Sequence, residues 1–238
     1  MSTPKRRPLH RRGAGIEFDR VANFSDAVFA IALTLLVVSI EVPSVKDAEL
    51  PDALRELWPQ IRSFFIGFTV IAFYWYGHHT FFKTLRAVDG PFMLSNLAYL
   101  AVIAFVPFPV ALVGEHSGVP VAVALFAVTL ATASAMDTVL FVVADRRGLM
   151  RARLGPAARR WSIVASIVPA VVFLLSAPLA YASTELALWV WLVIIPAERW
   201  LDTRRPPDPA WDVFDGVDGV DGVAGADGEA EAGGPAQA

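Results

Sequence analysis

Eight polar side chains lie inside or at the edge of long apolar runs: Arg20, Asn23, Ser25, Asp26, His78, His79, Asn96 and Asp137. In hydrocarbon such groups are costly unless they pair or meet water, so each is by default a candidate for function. Asp26 could be held by Arg20 or by a histidine, locking helices in position. The same set could instead relay protons, with Asp26, His78 and Asp137 coupling a proton gradient to the transport of a substrate. A histidine there could also sense pH, because imidazole titrates near neutrality. His78 and His79 are neighbours, so on a helix they point about 100° apart and cannot both face one partner. The structural lock is the simpler of these readings.

A second candidate is apolar. Ile31, Leu35 and Val38 follow the i, i+4, i+7 spacing of one helix face, with Thr34 beside them. Taken alone, that spacing fits a buried packing face. If several copies of the face surround an axis, rings of branched side chains make a hydrophobic constriction that gates by dewetting. A ring of threonine hydroxyls would then offer oxygens to a partly dehydrated cation.

The sequence contains no H-E-x-x-H, G-x-S-x-G or Walker pattern and no cysteine, so no common hydrolase, nucleotide-binding or thiolate chemistry is indicated. It also lacks T-V-G-Y-G, which excludes a pore-loop potassium filter. The arginines of 146–160 are better explained by an inner loop near anionic lipid than by nucleic acid binding. No enzyme activity, metal or cofactor is expected.

The elements that must position these residues are membrane helices. The chain has 238 residues, 55% of them hydrophobic and 18% charged, and the charges crowd between long uncharged stretches. Stretches of about 18 or more apolar residues read as bilayer spans, and these are too long for barrel strands. Six are expected, at about Val21–Val42, Trp58–Phe82, Pro91–Val113, Val119–Ala144, Trp161–Tyr181 and Leu186–Leu201, the last being the shortest. Pro59 suits a first helical turn, and Pro107-Phe108-Pro109 should bend or break the end of the third span. With both termini inside, only Lys46, Arg55 and Arg62 of the 20 basic residues fall outside, as the positive-inside rule requires. Residues 1–15 read as a disordered basic leader, 16–205 as the membrane domain and 206–238 as a disordered acidic tail rich in Gly, Asp and Ala. Calcium binding by the tail aspartates is a weak alternative. In this topology Ser25, Asp26, His78, Asn96 and Asp137 share one cytoplasmic layer.

The residues Arg20-Val21-Ala22-Asn23-Phe24-Ser25-Asp26 match the R-x-x-x-F-S-D signature of the transmembrane protein 175 potassium channels, and the match continues through Ala30-Ile31. Trp75, His78, His79 and Phe82 resemble that family's second-helix motif, and Asn96 with Ile103–Pro109 and Gly114-Glu115 resembles its third helix. The resemblance implies an all-α, six-helix subunit. With one signature per chain it implies the bacterial, homotetrameric type, whose first helices line a central pore for potassium in the cell membrane. It implies a constriction at Ile31, further apolar levels at Leu35 and Val38, and a selectivity layer at Thr34. Val38 stands where leucine is common. It further implies that Arg20, Phe24, Ser25 and Asp26 form a clasp with the second and third helices. Membrane lipid and potassium are the expected partners, and nucleic acid is not.

Overall fold

The computed structural model describes residues 10–116 and 118–216, with side chains from residue 17 onward. All regular structure among them is helical: α1 (His10–Val38), α2 (Leu50–Glu56), α3 (Trp58–Lys83), α4 (Gly90–Phe105), α5 (Pro107–Glu115), α6 (Pro120–Arg146), α7 (Pro156–Leu179), α8 (Thr184–Trp189), a 3-10 turn (Val190–Val193) and α9 (Ile194–Asp202). Proline occupies the first turn of α2 to α7, where its missing amide hydrogen costs nothing. Four stretches are long and apolar enough to cross a membrane: Glu17–Val38, Gly90–Glu115, Pro120–Arg146 and Pro156–Leu179. The other two expected spans are α3 and the α8–α9 segment. α3 is as long as these but carries Arg62, His78, His79, two tryptophans and two tyrosines. The α8–α9 segment is interrupted by its 3-10 turn.

The third expected span breaks where proline predicts. α4 stops at Phe105, and α5 restarts at Pro107 after Val106. The core lies between α1, α3, α4, α5 and α6, with Phe29, Leu36, Ile71, Tyr99, Ile103 and Leu130 fully buried. α7 and the segment after it pack outside α6. There Trp191 sits edge-on to Phe126 and Phe173, and its indole donates to Ser176 Oγ at 2.8 Å.

Two expectations about the ends are corrected. α1 begins at His10, inside the leader expected to be disordered through residue 15. Once the turns from Glu17 onward exist, each further residue gains a hydrogen bond for the cost of its own torsions alone. Residues 1–9 lie outside the described residues. The expected disordered tail is ordered over its first part. A helical turn at 210–216 buries Ala210 and Phe214, and Trp211 packs edge-on against Trp161 at 5.8 Å with the Arg205 guanidinium 3.9 Å from its ring centroid. Asp208 accepts from the Gly155 amide at 2.8 Å, at the start of α7. Aromatic and cation–π contacts outweigh the low hydrophobicity of the surrounding sequence here. Residues 217–238, including the Gly-repeat and its aspartates, lie outside the described residues.

Candidate functional site

α1 has two unlike sides. Ser25, Phe29, Ala32 and Leu36, spaced by four, three and four, form the seam buried against the bundle. On the far side Ile31 is 59% exposed, Leu35 47% and Val38 74%. Thr34 lies on this side too, and its hydroxyl donates to the Ile31 carbonyl at 2.9 Å. The branched stripe is therefore left unpartnered by the chain's own core. α1 ends where Ser39 turns its hydroxyl back to the Leu36 carbonyl at 2.8 Å, with Pro43 just beyond.

Behind the lower half of α1 the polar residues divide into two pairs. Asn96 Nδ2 of α4 donates to Ser25 Oγ at 2.9 Å, and Ser25 Oγ donates to the Val21 carbonyl at 3.0 Å. Trp75 Nε1 of α3 donates to the Asp26 carboxylate at 2.9 Å. His79 stacks on Trp75 with 5.5 Å between ring centroids, and its Nδ1 lies 4.0 Å from the same carboxylate. Arg20 is exposed and makes no ion pair with Asp26, contrary to one of the two expected partners. Six residues of helix place the two side chains on divergent faces. Asn23 and Phe24 are exposed as well.

His78 diverges from His79, as adjacent helical residues must. It is buried between Phe29, Phe82 and Tyr99, with centroid distances of 5.5, 4.5 and 5.1 Å, and stacks nearly parallel to Tyr99. Neither of its ring nitrogens makes a hydrogen bond, so no hydrogen bond links it to Asp26 or Asp137. Asp137 of α6 is partly buried, three residues beyond Ser134. Tyr74 fastens α3 to α6 through the Leu130 carbonyl at 2.9 Å and Ser134 at 2.7 Å. Sequence reasoning overlooked Trp75 as the donor to Asp26 and Tyr74 as a fastener. The signal was present, because Trp75 and His79 are four residues apart and so share a face.

At the end of the bundle nearest this layer, two loops are joined. Leu85 and Met150 form an isolated antiparallel bridge. The Arg86 amide donates to the Leu149 carbonyl at 2.9 Å, and the Arg151 amide to the Thr84 carbonyl at 2.8 Å. The Arg86 guanidinium adds two bonds to the Gly148 carbonyl, at 3.1 and 2.8 Å. Gly148 turns the chain at φ +65°, a torsion that side chains resist. Asp89 caps α4 through the Phe92 amide at 3.0 Å and pairs with Arg147. Burial pushes its carboxyl up, but these hydrogen bonds and the Arg147 charge outweigh that and hold it below the usual carboxylate value.

Comparison with known proteins bears on the first half of this arrangement. Residues 20–107 match the family described as endosomal/lysosomal potassium channel TMEM175. The chain also superposes on the crystal structure of a lysosomal potassium-selective channel TMEM175 homolog from Chamaesiphon minutus. Its TM-score is 0.63 at 29% identity, covering 80% of this chain and 99% of that one. Over residues 20–107 the chain is similar to the TMEM175 family. It is also similar to a potassium channel of Chamaesiphon minutus (42% identical over 103 residues, 42% of this chain and 51% of that one). It is equally similar to a potassium channel of Streptomyces collinus, 42% identical over 101 residues, which are 42% of this chain and 49% of that one. A relative from Bos taurus, named an endosomal/lysosomal proton channel TMEM175, is 35% identical over 98 residues, 37% of this chain and 20% of that one. The chain thus spans about half the length of the bacterial relatives it matches. The TMEM175 match begins at Arg20 and stops at the first residue of α5. It therefore contains the α1 stripe and both polar pairs.

Proposed function

We propose that this chain is one subunit of a homotetrameric channel that conducts potassium passively, with Ile31, Thr34, Leu35 and Val38 of four α1 helices lining the pore. The observation that carries this is the sidedness of α1. Its seam is filled by its own bundle, while an apolar stripe of regular spacing stands exposed. Stacked rings of Ile31, Leu35 and Val38 would form a dewetting constriction, narrowest at Ile31, and the Thr34 layer would contribute selectivity. Arg20, Phe24, Ser25, Asp26, His78, His79 and Asn96 then belong to the clasp that holds α1 in register, and Asp137 is a further intramembrane acid behind it. α3 and the α8–α9 segment cross with the four apolar helices, giving six crossings of the cell membrane with both termini cytoplasmic. The names of the bacterial relatives support potassium as the permeant ion.

The alternative, a proton-coupled transporter using Asp26, His78 and Asp137, has less support. Asp26 is occupied by Trp75, and His78 lies between ring faces without a hydrogen bond.

Purified protein in liposomes distinguishes the two. A channel passes voltage-driven potassium current with no second substrate, and Ile31→Asn raises its conductance or weakens potassium-over-sodium selectivity. Saturable flux that needs a proton gradient and disappears in Asp26→Asn would favour the transporter. Because the cattle relative is named a proton channel, proton flux is recorded beside potassium flux in the same vesicles.

A further inference from the structure

The far half of α1 is positioned by a close packing of α3 and α5 against its back. Three helices meet at Gly67. A β-carbon there would stand 2.7 and 2.8 Å from the two γ-methyls of Val110 and 3.2 Å from Leu36 Cδ2, inside the roughly 3.5–4.0 Å of normal carbon contact. Val110 lies on α5, one turn after the Val106 break, and is 1% exposed; Leu36 is fully buried. The methyls of Val110 thus fill the notch left by the missing side chain, which Leu36 on the back of the stripe-bearing helix also borders.

We infer that Gly67 and Val110 form a wedge that sets how far α1 projects its stripe, and so the width of the pore between Thr34 and Val38. This rests on the reading of α1 as the pore helix. Residues two apart on a helix point about 160° apart. Leu36 therefore faces almost directly away from both Thr34 and Val38, and a push on Leu36 drives those two outward from the bundle.

The alternatives to moving α1 are closed. Val110 is stiff, because a β-branched side chain in a helix has one strongly preferred rotamer. α5 cannot easily retreat. Ser63 Oγ ties it to α3 by donating to the Val110 carbonyl at 2.6 Å, and α5 also packs against α6. The far half of α1 is the yielding partner. The side-chain hydrogen bonds that tie α1 to α4 and α3 through Ser25 and Asp26 both lie in its near half.

The test records single-channel potassium current and potassium-over-sodium selectivity for Gly67→Ala, Val110→Ala and the double variant in bilayers, with Ile31→Asn beside them. Gly67→Ala is expected to lower unitary conductance by about threefold or more, since a hydrophobic constriction responds steeply to width. Val110→Ala should shift conductance or selectivity the opposite way, and the double variant should return close to the parent. A general loss of stability would not produce that reciprocal rescue. Conductance unchanged in Gly67→Ala, or lowered and not restored by Val110→Ala, overturns the wedge. If Gly67→Ala does not fold, Val110→Ala decides alone: unchanged conductance and selectivity overturn it. An Ile31→Asn without effect removes the pore reading and the wedge with it. An effective Ile31→Asn beside silent Gly67 and Val110 variants removes the wedge only.

Discussion

Ser25 and Asn96 lie 71 residues apart in sequence on different helices, and one hydrogen bond of 2.9 Å joins them in a buried site. Removing one partner leaves the other's polar group buried and unmatched, which costs more than the bond itself contributes. Ser25→Ala is therefore expected to lower stability in detergent by about 1 kcal/mol. Adding Asn96→Leu to it should cost less than the sum of the two single changes, measured by thermal unfolding as a double-mutant cycle. Strictly additive losses would show that the pair is not coupled. The same logic separates the two histidines. His79 borders a carboxylate and stacks on Trp75, whereas His78 behaves as an aromatic filler among Phe29, Phe82 and Tyr99.

Elements are positioned by their breaks as much as by their runs. The Val106 break frees α5 to lean on α1 and α3, and Gly148 lets the α6–α7 loop turn back to reach Leu85. A side chain at φ +65° costs about 1–2 kcal/mol, so Gly148→Ala should lower the unfolding temperature and Gly148→Asn should lower it less. Equal melting of all three would mean that the loop does not hold this turn. Much at this level was legible in sequence. The starts of α3 and α6 and the interruption at 106–107 follow from proline and from where charge stops, because both act locally. Depth alone could not choose among the candidate partners of Asp26, because depth in the membrane orders residues along the bilayer normal but not around each helix. Arg20 and Trp75 both suited Asp26 on depth; only packing put the indole within reach. The ordered stretch at 206–216 escaped for a related reason. Its Pro-Asp-Pro composition reads as unstructured, and the spacing of Trp211 and Phe214 gains meaning only once Trp161 is known to stand opposite.

For the molecule as a whole, charge asymmetry makes the orientation testable. The chain has no cysteine, so a single introduced thiol reports alone. With both termini cytoplasmic, Lys46→Cys should react with a membrane-impermeant maleimide in intact cells, and Arg153→Cys only after permeabilisation. The reverse pattern would invert the topology. The bridge between the Leu85 and Met150 loops has a consequence on an evolutionary timescale. It links the family-matched first part of the chain to the helices behind it largely through main-chain amides and carbonyls, groups that every residue except proline supplies in full. A docking contact of that kind survives side-chain turnover, so α6 to α9 are free to drift in sequence while still packing against the same front helices.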